Sequence, residues 1–104
     1  MLNMEYIVRH LDHTDPRIKK IAIHYGYDRQ SIKLIEEMAE LQQAICKNRE
    51  SKDKVKTLID IKNEMADVYT VLDQMKYLLN IKDEELEEIK DYKINRQLLR
   101  MKSE

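Results

Sequence analysis

"LIDIKNEMADVYTVLDQMKYLL", residues 58–79, is the stretch whose reading decides the fold. It contains neither Gly nor Pro. Its apolar residues recur at helical spacing, as Leu58, Ile61, Met65, Val68, Leu72, Met75 and Leu79, and the series extends back to Val55. Around Glu64 and Asp67 it is apolar on nearly every side, with Met65, Ala66, Val68, Tyr69, Val71 and Leu72. A helix that is apolar all round is buried among others. The stretch therefore predicts one long helix, from about 54 to 79, inside an all-α bundle; "NIKD" ends it.

The composition agrees. The chain has 104 residues, which suits a single domain over 1–104 with a modest core. Hydrophobic residues make up 42% and charged residues 38%, the mix of amphipathic helices rather than of a disordered tail. One Gly and one Pro leave little material for tight turns, and without Phe or Trp the core rests on Leu, Ile, Val, Met and six Tyr. The net charge of -1 argues against binding to nucleic-acid polymers or to a membrane surface. No apolar run approaches the ~20 residues of a membrane span. "MLNMEYIVRH" lacks the apolar core of a signal peptide. Cys46 is the sole cysteine, so no internal disulfide forms. These features point to a cytoplasmic protein.

The other elements read outward from the deciding stretch. Met4, Ile7, Val8 and Leu11 have helical spacing, and residues 1–27 as a whole form an arm or short helices. In "TDPRIKKIAIHYG", Asp15 can cap, Pro16 suits the first helical position and Gly26 suits the stop, so a short helix is expected over 16–25. Asp28 is the candidate N-cap of a second long helix to about 48, with Ile32, Ile35, Met38, Ala39, Leu41 and Ile45 as its apolar stripe. "KNRESKDK" has no apolar residue and reads as an exposed loop. Asp83 can cap a last helix from 84 to about 101, with Leu86, Ile89, Ile94, Leu98 and Met101 inward. Its acidic start and basic end suit the helix macrodipole. The expected architecture is a bundle of three to five helices, with two long antiparallel helices at its centre and oligomerisation completing it.

Both long helices carry paired acids. Glu37 and Glu40 lie three apart, as do Glu64 and Asp67. Residues three apart on a helix share a face, so antiparallel packing would let four carboxylates meet. Four anions in a low dielectric repel, and such a cluster persists only when a cation or protons neutralise it. Hard oxygen ligands suit Mg²⁺, or Mn²⁺ in its place. The plainer alternative is that the acids sit on solvated faces and pair with lysines, Lys33 being four before Glu37 and Lys47 seven after Glu40. His10, His13, His24 and Cys46 make no zinc pattern. The histidines read as structural or surface residues, and Cys46 as a small core or helix-end residue. There is no Gly-rich phosphate loop, so any phosphate would have to be held by metal and basic side chains.

"KLIEEMAELQQAI", a charged loop and then "IKNEMADVYTVLDQM" together resemble the MazG-like nucleoside triphosphate pyrophosphohydrolases of the all-α superfamily. The family signature is E-E-x-x-E, a variable spacer, then E-x-x-D. Here it reads Glu36-Glu37-Met38-Ala39-Glu40, a spacer over 41–63, and Glu64-Met65-Ala66-Asp67. The resemblance covers roughly residues 30–79 and continues more weakly into "YKINRQLLR". It implies hydrolysis of a nucleoside triphosphate to the monophosphate and pyrophosphate, in nucleotide-pool house-cleaning. It implies Mg²⁺ on Glu37, Glu40, Glu64 and Asp67, with Glu36 orienting or deprotonating the attacking water. Phosphate contacts would come from Lys33 and, on the last helix, from Lys93, Asn95, Arg96 and Arg100. It also implies a homodimer or homotetramer.

The base pocket is not legible. Tyr6, Tyr25, Tyr27, Tyr69, Tyr77 and Tyr92 include stacking candidates, yet at helical spacing Tyr more often belongs to a core or its rim. Phosphoribosyl-ATP pyrophosphohydrolases and dimeric dUTPases are neighbouring options in the superfamily. A different class stays open: a non-catalytic helical bundle that binds nucleotide or a partner protein.

Overall fold

A computed structural model describes residues 3–4 and 12–104. Among the described residues there are three complete helices and no strand: α1 (Pro16–Glu50), α2 (Lys54–Leu78) and α3 (Asp83–Met101). The protein is all-α, as its composition implies. The chain divides into two compact units, one holding α1 and α2 (Thr14–Leu79), the other holding α3 (Asn80–Glu104). The arm or helix expected from Met4, Ile7, Val8 and Leu11 falls largely on residues 5–11, outside the described ones, as do Tyr6 and His10.

α1 starts where the sequence placed it. Asp15 accepts the backbone N–H of Arg17 at 2.8 Å, and Pro16 fills the first position. The helical run breaks at Gly26, whose φ of 81° and ψ of 171° are non-helical. The break separates the expected short helix from the long one. Asp28 is not the N-cap it was expected to be, because the backbone is helical again immediately after Gly26.

"KNRESKDK" is mostly helix, and the loop shrinks to Ser51–Lys52–Asp53. Charge alone does not break a helix, and these residues serve both ends. Lys47 and Arg49 occupy the last turn of α1, where cations suit the dipole. Lys54 Nζ reaches back to the carbonyls of Asn48 and Arg49. Asp53 caps α2 by accepting Lys56 N–H at 3.1 Å. At the far end, Asn80 takes a left-handed φ of 54° just past the C-cap, a conformation that asparagine tolerates. α3 then begins at Asp83 itself. Lys82 is its N-cap, and Glu85 accepts the Lys82 backbone N–H at 2.8 Å, so Asp83 supplies first-turn charge rather than the cap.

α1 and α2 are antiparallel. Asn48 donates to Thr57 Oγ1 at 2.9 Å beside the turn, and Gln30 donates to Gln74 Oε1 at 2.6 Å near the open end. The buried and half-buried positions form two seams at alternating four- and three-residue steps. In α1 the seam is Gln30, Leu34, Glu37, Leu41, Ala44 and Asn48; in α2 it is Thr57, Ile61, Glu64, Val68, Val71, Met75 and Leu78.

The expected apolar stripes coincide with these seams only in part: Leu41 in α1 and Ile61, Val68 and Met75 in α2 lie on them, and the bulkiest of the others do not. In α1, Ile32, Ile35, Met38 and Ile45 are exposed, Ile35 at 65%; in α2, so are Val55, Leu58, Met65, Leu72 and Leu79. Residues proposed as inward on α3, namely Leu86, Ile89, Ile94, Leu98 and Met101, are exposed too, and none of its described residues is buried. The hairpin turns a mixed polar seam inward and leaves much of its bulky apolar surface outside. No helix among the described residues is long and apolar enough to cross a membrane.

Candidate functional site

The seam carries the acids. Glu37 and Glu64 occupy seam positions near the middle of the hairpin, and Glu40 and Asp67 follow each by three residues, almost one turn on. One carboxylate oxygen from each of the four lies within 4.8 Å of the others. This convergence is what antiparallel packing of the two E-x-x-acid pairs predicts.

The environments differ. Glu37 is buried at 5% exposure, Glu64 is half-buried, and Glu40 and Asp67 are exposed. Glu37 Oε1 accepts from Lys33 Nζ at 3.1 Å, so the lysine-pairing alternative also holds for one oxygen of this carboxylate. Glu37 Oε2 and Glu64 Oε2 are buried with no hydrogen-bond partner. A buried polar atom left unsatisfied costs about 1–3 kcal/mol, and more when charged. The charge of Glu37 beside it, with desolvation and the nearness of Glu64, raises the Glu40 carboxyl above its ordinary value.

No family model, curated protein or solved structure matches this chain. What the site can do is therefore read from its own groups.

The donor set is all oxygen, supplied by two rigid helices, with two buried oxygens that lack a partner. Those residues fit a hard divalent cation. Among the described residues no His or Cys joins the cluster. His24 stacks edge-on against Tyr25 with ring centroids 4.7 Å apart. Cys46 is exposed near the end of α1, which corrects the alternative that made it a core residue.

Glu36 sits outside the four-acid group. Its side chain is 58% exposed and its Oε2 lies 4.0 Å from Lys33 Nζ. Lys33 and Glu36 also line an open groove with Tyr25, Arg29, Gln30 and Ile32, in which the Arg29 guanidinium lies 4.8 Å from the Tyr25 ring centroid. The α1–α2 unit thus brings together Glu37, Glu40, Glu64 and Asp67 with Lys33 and Glu36 at their edge. Lys93, Asn95, Arg96 and Arg100 belong to α3, in the other unit, and all four are exposed. The Arg96 guanidinium lies 5.7 Å from the Tyr92 ring centroid.

Tyr25, one of the stacking candidates, lies in the groove beside Lys33, whereas Gln30, Gln74 and Arg29 are residues that residue-type reasoning passed over. The seam step was the available signal: Gln30 lies one heptad before Glu37.

Proposed function

We propose that this chain is a Mg²⁺-dependent nucleoside triphosphate pyrophosphohydrolase of the MazG-like kind, releasing the monophosphate and pyrophosphate as a nucleotide-pool house-cleaning enzyme. The observation that carries the reading is the meeting of Glu37, Glu40, Glu64 and Asp67 within 4.8 Å, two of them with buried, partnerless oxygens. These four would hold the ion, with Mn²⁺ as an alternative to Mg²⁺. When bound, the ion supplies charge neutralisation at the phosphates and a lowered pKa for water.

The chain's own residues take the remaining roles. Phosphoryl transfer depends on positioning and charge more than on covalent chemistry. Glu36, exposed beside the cluster, is assigned to orient the attacking water and accept its proton. Of the residues the resemblance offers for the triphosphate, Lys33 lies at the edge of the cluster and is assigned to that role. The groove beside Lys33, with Tyr25 as an aromatic wall, is a candidate seat for the nucleoside.

The exposed apolar residues of α1 and α2 favour assembly into a homodimer or homotetramer. The same surface supports the second reading, a helical module that binds a partner without chemistry. Product analysis separates the two. With Mg²⁺ and a panel of NTPs and dNTPs, monophosphate and pyrophosphate should form, and Glu37→Gln should abolish both products. Diphosphate with phosphate would replace the reaction; no turnover of any substrate would favour the binding module.

A further inference from the structure

Lys33 is drawn in two directions. Its ammonium donates to Glu37 Oε1 at 3.1 Å and lies 4.0 Å from Glu36, while its side chain is 49% exposed and lines the groove with Tyr25, Arg29 and Gln30. Its partner is the most buried acid of the cluster, with a side chain only 7% exposed. Among the described residues, no ion pair of this kind reaches Glu40, Glu64 or Asp67. A single ammonium therefore answers four converging carboxylates, and it occupies one oxygen of Glu37 while leaving the other buried and unpartnered.

We propose that Lys33 is a built-in counter-cation that competes with the divalent ion for Glu37, and that metal entry releases its ammonium into the adjoining groove. The inference rests on the metal reading above. Lys33 precedes Glu37 by four residues on the same helix, so their pairing needs nothing from α2. A lysine is a point charge on a flexible four-carbon stem, able to turn away without disturbing the backbone. Its half-exposed position leaves the way to solvent open. A dication drawn to Glu37 would meet the ammonium at contact range, where like charges repel even in water. The same event that loads the site then frees a positive charge at its edge. Metal affinity is thereby held down, and a basic group becomes available to an anionic ligand only once the ion is in place.

Calorimetric titration with Mn²⁺ and with Mg²⁺ tests this on the full chain, without substrate. Wild type should bind, and Lys33→Met should bind about fivefold more tightly or better, the effect of removing one unit charge at contact range. Lys33→Arg should bind at or below wild-type affinity, and Lys47→Met, which removes a charge from the same helix away from the cluster, should match wild type. Equal or weaker binding by Lys33→Met, with wild type still binding, overturns the competition and leaves the metal site standing. No binding by any of the proteins overturns the metal reading itself. A second measurement needs no variant. Acylation of Lys33 by an amine-reactive ester, followed by mass spectrometry, should accelerate when Mn²⁺ is added to wild type; an unchanged or slower rate overturns the proposal.

Discussion

Glu40 sets a pH response for the protein stripped of metal. Its carboxyl is raised above the ordinary value of 4.5, first by the charge on Glu37 and then by desolvation. The folded chain holds this proton more tightly than the unfolded chain. The resulting stability is present at low pH and is lost as pH rises from about 4.5 through the raised value. Melting curves with a chelator present, run from acid toward neutrality, should show this loss in wild type and a smaller one in Glu40→Gln. Asp15, lowered by its hydrogen bonds to Arg17, contributes with the opposite sign: its stability is present above 3.8 and lost on acidification. The acids were legible in the sequence because a three-residue step on a helix is already a geometric statement. Gln30 and Gln74 were not, since an isolated glutamine carries no such signal until its seam is known.

For the helices, existence was legible and orientation only in part. Asp15, Pro16 and Gly26 locate the start and the break of α1, whereas the caps expected at Asp28 and Asp83 are not caps and Asp53, which caps α2, lay in a stretch expected to be loop. Choosing the most apolar stripe found part of the packed face of α2, at Ile61, Val68 and Met75, and little of that of α1 beyond Leu41. In α1 that face runs through Gln30, Glu37 and Ala44, while Ile32 and Ile35 point outward. A hydrophobic stripe shows that some surface must be covered, but not which neighbour covers it. Gly26 is the position where a side chain would matter most. With φ at 81° and ψ at 171° it lies in a region nearly reserved for glycine, although an added Cβ would meet nothing within 4 Å. Gly26→Ala should therefore cost about 1–3 kcal/mol through backbone strain alone, read as a lowered urea midpoint with an unchanged slope.

Many bulky apolar side chains among the described residues are exposed, with Ile35, Tyr69 and Val55 among the most open of α1 and α2. If copies cover one another, apparent stability follows mass action. The melting temperature should rise with protein concentration over a hundredfold range, and Ile35→Glu should remove that dependence while lowering the sedimentation coefficient. A flat profile in wild type would count against self-association. The net charge of -1 offers little repulsion to oppose it.

The short turn at Ser51–Lys52–Asp53 has a kinetic consequence. Cross-strut pairing begins nine residues apart, at Asn48 with Thr57, and ends forty-four apart, at Gln30 with Gln74. Closing the near pair sacrifices little chain entropy, and each later pair extends a loop already shortened. The hairpin should zip from the turn, pass the acids midway and clasp the glutamines last. Bonds made after the rate-limiting step act on opening, not on closing. In stopped-flow experiments Gln74→Leu should accelerate unfolding and leave the refolding rate nearly unchanged, making the glutamine pair the latch that determines how long the acids stay together.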